Sequence, residues 1–115
     1  MDPGLGDLDF CYLSTAGRVT GRVHRIEIWY ALADRTLYLL AGSRSSDWVR
    51  NLLAQPAVTV ELGDQRFPAI ARIVRDATED AQARQLVYEK YRTRYRGDLT
   101  DWRDRSLPVA IDLVG

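Results

Sequence analysis

Apolar and polar residues alternate in short runs along most of this chain, the period-two pattern of strands with one buried face. Residues 10–14 alternate weakly and predict a first strand. Residues 25–33 (R-I-E-I-W-Y-A-L-A) put Ile26, Ile28 and Tyr30 on one face and Glu27, Trp29 and Ala31 on the other. A turn at 33–35 leads into T-L-Y-L-L-A at 36–41, so these two runs predict a hairpin. A second hairpin joins 57–62 to 66–74 through Gly63 and Asp64, and Pro68 predicts an edge position or a bulge within it. Residues 107–114 (L-P-V-A-I-D-L-V) predict a closing strand.

Two segments change period. Trp48, Val49, Leu52 and Leu53 form a helical stripe, with Asp47 as the expected cap and Pro56 as the stop. A second helix is expected from Thr78, its cap, through the tyrosines, with Ala81, Leu86, Val87 and Tyr91 as contacts. Residues 102–105 predict a further helical turn, and residues 1–8 a flexible arm or short cap. The sum is a mainly β domain over 1–115, with two or three short helices. Strands in adjacent hairpins argue for antiparallel pairing, and six or seven of them close most economically into a small barrel.

Composition narrows the function. The chain has 115 residues, 46% apolar and 28% charged, with formal net charge +0. A neutral balance argues against a nucleic-acid partner, and no apolar run approaches the length of a bilayer span. The acidic, Gly/Pro-rich start does not read as a signal peptide, so a cytoplasmic protein with no membrane partner is the expectation. The single cysteine, Cys11, excludes an intrachain disulfide and reads as a buried small hydrophobe. The single histidine, His24, has no nearby partner for a metal, so no metal site is expected.

The chemistry concentrates at 13–30, L-S-T-A-G-R-V-T-G-R-V-H-R-I-E-I-W-Y. Gly17 and Gly21 make a tight turn, surrounded by Thr15, Arg18, Thr20, Arg22, His24 and Arg25. Guanidinium and hydroxyl donors in that number suit a phosphate or carboxylate, and a plain solvated turn is the competing reading. The loop G-S-R-S-S before the first helix offers Ser43, Arg44 and Ser45 as a second anion site, with simple helix capping as its competitor. Trp29, Trp48, Tyr88, Tyr91, Tyr95 and Trp102 are core or the walls of a planar-ring site. No P-loop, Rossmann fingerprint or G-x-S-x-G is present, which favours a protein whose cofactor carries the chemistry.

Residues 13–25 resemble the L-T-T-x-G-R-x-S/T-G-x-x-R signature of the deazaflavin-dependent nitroreductase family, among the split β-barrel flavin and deazaflavin oxidoreductases. D-W-V-R-N-L-L-A-Q-P-A-V-T-V-E-L resembles that family's W-x-x-N-L-x-A-N-P-x-V-x-V block. D-W-R-D-R-S-L-P-V-A-I resembles its C-terminal end. The three blocks stand in the family's order and span 13–114. The resemblance implies an antiparallel Greek-key split barrel of the FMN-binding type and a 5-deazaflavin coenzyme, F-420, with FMN as the alternative. It implies hydride transfer to a quinone, enone or nitro compound, with a non-catalytic ligand-binding barrel as the rival.

The same resemblance assigns Arg18, Thr20, Gly21, Arg25, Ser43, Arg44 and Ser45 to the coenzyme tail. Trp29 and Trp48 become its ring-side walls, and Tyr91 and Tyr95 the substrate side. No catalytic proton donor is assigned. The phosphate loop departs from the family's Lys/Gly-rich form, and Leu99 stands where a tyrosine is expected. The extended N-terminal region of some members is absent, so membrane association through it is not expected. Many split barrels pair through a sheet face, so the resemblance admits a homodimer.

Overall fold

The strand expected over 25–33 breaks after Ile28, and the break closes the fold. In the computed structural model, which describes residues 3–114, seven strands form one antiparallel sheet. They are β1 (Cys11–Ala16), β2 (Val23–Ile28), β3 (Ala31–Ala33), β4 (Thr36–Ala41), β5 (Ala57–Leu62), β6 (Gln65–Ile73) and β7 (Leu107–Leu113). Their spatial order is β2-β1-β5-β6-β7-β4-β3. The two edges, β2 and β3, are therefore neighbours in sequence, and only Trp29 and Tyr30 lie between them. Three peptide steps reach at most about 11 Å, so the sheet must curl until its edges nearly meet. The result is the split barrel, carrying helices α1 (Asp47–Ala54), α2 (Ala77–Tyr91) and α3 (Thr100–Arg105).

The alternation persists through the break: Tyr30 packs in the same core as Ile26 and Ile28, while Trp29 and Ala31 pack on the opposite face. Tyr30 is fully buried; its hydroxyl donates to the Leu5 carbonyl, and its backbone N–H donates to the Tyr91 hydroxyl at 3.1 Å. Leu5 is itself buried and lies in a 3-10 turn, Pro3–Asp7, so the described part of the expected arm folds as a cap against the barrel.

Two cores divide the sheet. Inside the barrel, Leu13, Leu37, Leu39, Val60, Leu62, Val109 and Ile111 meet Val49 and Leu52 of α1. Outside it, Tyr38, Leu40 and Ala110 pack under Ala83, Val87 and Tyr91 of α2. Strand β4 is buried on both faces, which explains its unbroken apolar run. Burial also pushes the Cys11 thiol up to about 12.

Several boundaries differ from the sequence expectation. Helix α1 is capped by Ser46, and Asp47 is its first residue. Asp76 caps α2, accepting from the Glu79 N–H at 2.9 Å, so Thr78 lies inside the helix. Ala83, not Ala81, faces the sheet. Pro68 is on an internal strand without a bulge, paired with Thr59. Its carbonyl accepts from Val114, where the β6–β7 pairing ends, so its missing N–H falls beyond the ladder.

Arg72 fastens the start of α2 to the sheet. It donates to Glu79 at 2.7 and 2.8 Å and to Asp112 at 2.7 Å, and the Tyr38 hydroxyl donates to Glu79 at 2.7 Å. Arg72 first, and Tyr38 second, hold the Glu79 carboxyl down at about 2 against its ordinary 4.5. A depressed carboxyl stabilises the fold above its unfolded value and loses that contribution as pH falls toward the folded value. Stability against urea should therefore fall from about pH 5 down to about pH 2, and Glu79→Gln should flatten that slope. An equally steep slope in the variant would contradict the assignment.

Candidate functional site

The β1–β2 hairpin wraps a short cleft against the first turn of α1. Gly17 N–H donates to the Arg22 carbonyl at 2.7 Å, Gly21 N–H to the Gly17 carbonyl at 2.8 Å, and Gly21 holds φ +76°, a region that favours glycine. A Cβ at Gly17 would stand 3.0 Å from both the Arg22 carbonyl and His24 Nε2, so no larger residue fits without displacement. Across from the turn, buried Asn51 of α1 accepts from Arg18 N–H at 3.2 Å and from Arg18 Nη1 at 2.9 Å. Its Nδ2 donates to buried Thr15 at 3.2 Å. Asp47 adds an ion pair to Arg18 at 3.3 Å.

The open cleft has a volume of about 370 Å³ and is lined by Arg18, Thr20, Arg22, His24, Asp47 and Asn51 among others. The Arg22 guanidinium has no partner among the described residues. The loop at 42–46 runs straight into this wall. Ser43 Oγ lies 2.7 Å from Ser45 Oγ and accepts from the Ser45 N–H at 3.0 Å, while Arg44 is exposed and unpartnered among the described residues. With Asp47 paired to Arg18, the excess charge of the cleft and its adjoining loop is positive.

Arg25 stands elsewhere. The pairing of β2 with β1 sets His24, Ile26 and Ile28 opposite buried Thr15, Leu13 and Cys11, so the odd positions face outward. Arg25 bonds Glu61 at 2.7 Å and lies 3.8 Å over the Tyr12 ring. The signature's final basic position, three residues after Gly21, falls on His24, which lines the cleft.

At the far end of β2 the side chains turn aromatic. Trp29 stacks on Tyr91 at 4.3 Å with 2° between the rings, and meets Tyr95 and Trp102 edgewise, each at 5.6 Å. A cleft of about 400 Å³ opens here, lined by Glu27, Ile28, Trp29, Leu40, Tyr95, Leu99 and Trp102. Tyr91 does not line it. That residue is buried, its hydroxyl donates to the Asp9 carbonyl at 2.7 Å, and it backs Trp29 from behind. Trp48 packs against the inner core, apart from this cluster.

Both clefts thus sit on one edge strand. From His24 to Ile28 is four residues, about 13 Å at the usual strand rise. Between them, Ile26 and Ile28 face the inner core. Neither Asn51 nor Trp102 stood among the residues assigned from the sequence. Asn51 had a signal: a carboxamide beside Val49 and Leu52 on a helix's apolar face must find a buried partner.

Comparison with known proteins agrees with this architecture. The model of the F420H(2)-dependent quinone reductase family matches residues 4–113. An F420H(2)-dependent quinone reductase of Mycobacterium tuberculosis is 31% identical, the match covering 86% of this chain and 69% of the relative. Among solved structures, an F420-H2-dependent reductase superposes with TM-score 0.72 at 20% identity, covering 90% of this chain and 93% of its own. A domain-swapped dimer superposes with TM-score 0.74 at 23% identity, covering 92% and 81%.

Removing the Asn51 side chain should leave Arg18 N–H and the Thr15 hydroxyl without their partner. Asn51→Ala is expected to lower stability by about 1–3 kcal/mol and to speed amide exchange at Arg18. Unchanged unfolding and unchanged exchange would show that the helix does not hold the hairpin.

Proposed function

Because the chain belongs to the F420H(2)-dependent quinone reductase family, we propose that its two clefts divide the reaction: the cationic one holds the coenzyme's acidic tail, the aromatic one receives the acceptor. The chain is an oxidoreductase of the deazaflavin coenzyme F420, and membership selects F420 over FMN and an enzyme over a carrier barrel. When bound, the reduced deazaflavin supplies the hydride that an electron-poor quinone takes up.

The residues present suit that coenzyme. Phosphate and carboxylate groups need donors that are not already engaged, and Arg22 and Arg44 are such cations among the described residues. Arg18, Thr20, Arg22, Ser43, Arg44 and Ser45 would hold the tail, with Gly17 and Gly21 allowing the backbone to approach. Asn51 accepts from the Arg18 guanidinium and so fixes it at the cleft wall. Trp29, Tyr95 and Trp102 would orient a flat acceptor and exclude water from it. The observation that carries this reading is the placement of a cationic and an aromatic cleft on one strand.

Residues 1–115 would act as one cytoplasmic domain. Among the described residues no helix is long and apolar enough to cross a membrane. A homodimer belongs to the same reading, supported by two exposed apolar side chains, Val19 in the turn and Val23 at the start of edge strand β2.

Fluorescence titration with F420 tests the tail site. Arg18→Ala and Arg44→Ala should each weaken binding by about 1–3 kcal/mol, the range of a charge-assisted hydrogen bond. Arg25→Ala, on the outer face, should bind as the wild type does. The opposite pattern, with Arg25 essential and Arg44 dispensable, would overturn the proposal.

A further inference from the structure

The aromatic cleft carries one charge. Of its lining residues, Ile28, Trp29, Leu40, Tyr95, Leu99 and Trp102 are apolar or aromatic, and Glu27 alone is an acid or a base of the Asp, Glu, Lys, Arg or His type. Glu27 is exposed and accepts a hydrogen bond from the Tyr12 hydroxyl at 3.1 Å. The nearby cations are committed to other partners. Arg25 bonds Glu61 at 2.7 Å, Arg103 bonds Asp104 at 2.7 Å, and Arg94 bonds Asp7 and Asp9 at 3.1 and 2.9 Å. Arg96 is exposed and does not line the cleft.

From this arrangement we propose that Glu27 selects acceptors by charge. The cleft takes a flat ring that is neutral or bears a cationic substituent, and disfavours one that bears a sulfonate or carboxylate. The proposal rests on the reading of this cleft as the acceptor side. Two physical terms act in the same direction. The carboxylate repels an anion and attracts a cation across the rim. The faces of Trp29, Tyr95 and Trp102 attract cations through their ring quadrupoles and accept stacked neutral rings equally well. The two clefts then carry opposite preferences: cationic for the coenzyme's acidic tail, anionic at the rim for the acceptor. An anionic acceptor is steered away from the aromatic end, and the acidic coenzyme is steered away from the acceptor's place.

Quenching of tryptophan fluorescence in the coenzyme-free protein reads this directly. Three naphthoquinones serve as probes: one neutral, one sulfonated, one bearing a trimethylammonium group. At low ionic strength the sulfonate should bind about three- to tenfold more weakly than the neutral ring, the range for one partly screened charge, and the cation more tightly. Glu27→Gln keeps the hydrogen-bond acceptor for Tyr12 and should narrow the gap between sulfonate and neutral ring, as should high salt. Turnover with reduced F420 should rank the three acceptors in the same order. Equal binding of sulfonate and neutral ring, or a gap that survives Glu27→Gln, overturns the charge selection alone. If no naphthoquinone quenches, or Trp102→Leu leaves neutral binding intact, the acceptor reading falls and the charge selection falls with it.

Discussion

Two residues, Trp29 and Tyr30, join the opposite edges of the sheet, and the rest of the molecule follows from that short span. No seven-stranded antiparallel sheet can stay open when its outermost strands are three peptide steps apart. The corner is held from three sides. Leu5 takes the Tyr30 hydroxyl, Tyr91 takes the Tyr30 N–H, and Lys90 donates to the Tyr30 carbonyl at 3.0 Å. The Lys90 ammonium also lies 3.6 Å over the Tyr30 ring, where burial lowers it to about 8. The N-terminal turn and α2 are thus parts of the closure device, not appendages to a finished barrel.

Closure also positions the site. Turning Tyr30 inward leaves its neighbour Trp29 on the outside, stacked on Tyr91 and presented to Tyr95 and Trp102. The same strand that ends in this aromatic corner begins in the glycine-arginine hairpin, which α1 holds through Asn51. The cationic and aromatic clefts are then separated by one strand's length, a spacing set by the chain itself. Rigid elements carry both ends, as positioning of two reactants requires.

Much of this was legible in the sequence, for identifiable reasons. Gly17 and Gly21 beside arginines marked a turn with donors, and the apolar run at 36–41 marked a strand, though not its burial on both faces. The break after Ile28 was not legible, because alternation continues smoothly through Tyr30 and the groups that hold the corner, Leu5 and Tyr91, are distant in sequence. Arg25 was assigned to the cleft by chemistry, whereas strand parity sends it outward to Glu61. Tyr91 was assigned to the substrate side, but its hydroxyl is consumed by two backbone groups. Asn51 was overlooked although a polar residue on an apolar helix face is a visible anomaly. For the break, Arg25 and Tyr91 the deciding partner lies far along the chain, beyond the reach of local pattern.

The central claim is that one strand carries two separate binding ends. The most direct test is a nitrogen-15 NMR titration of the labelled protein, first with F420 and then with a neutral naphthoquinone. F420 should shift the backbone amides of the β1–β2 turn and of the loop before α1. The quinone should shift the indole signals of Trp29 and Trp102 while leaving those amides in place. A quinone that moves the turn amides and leaves both indoles untouched would contradict the account.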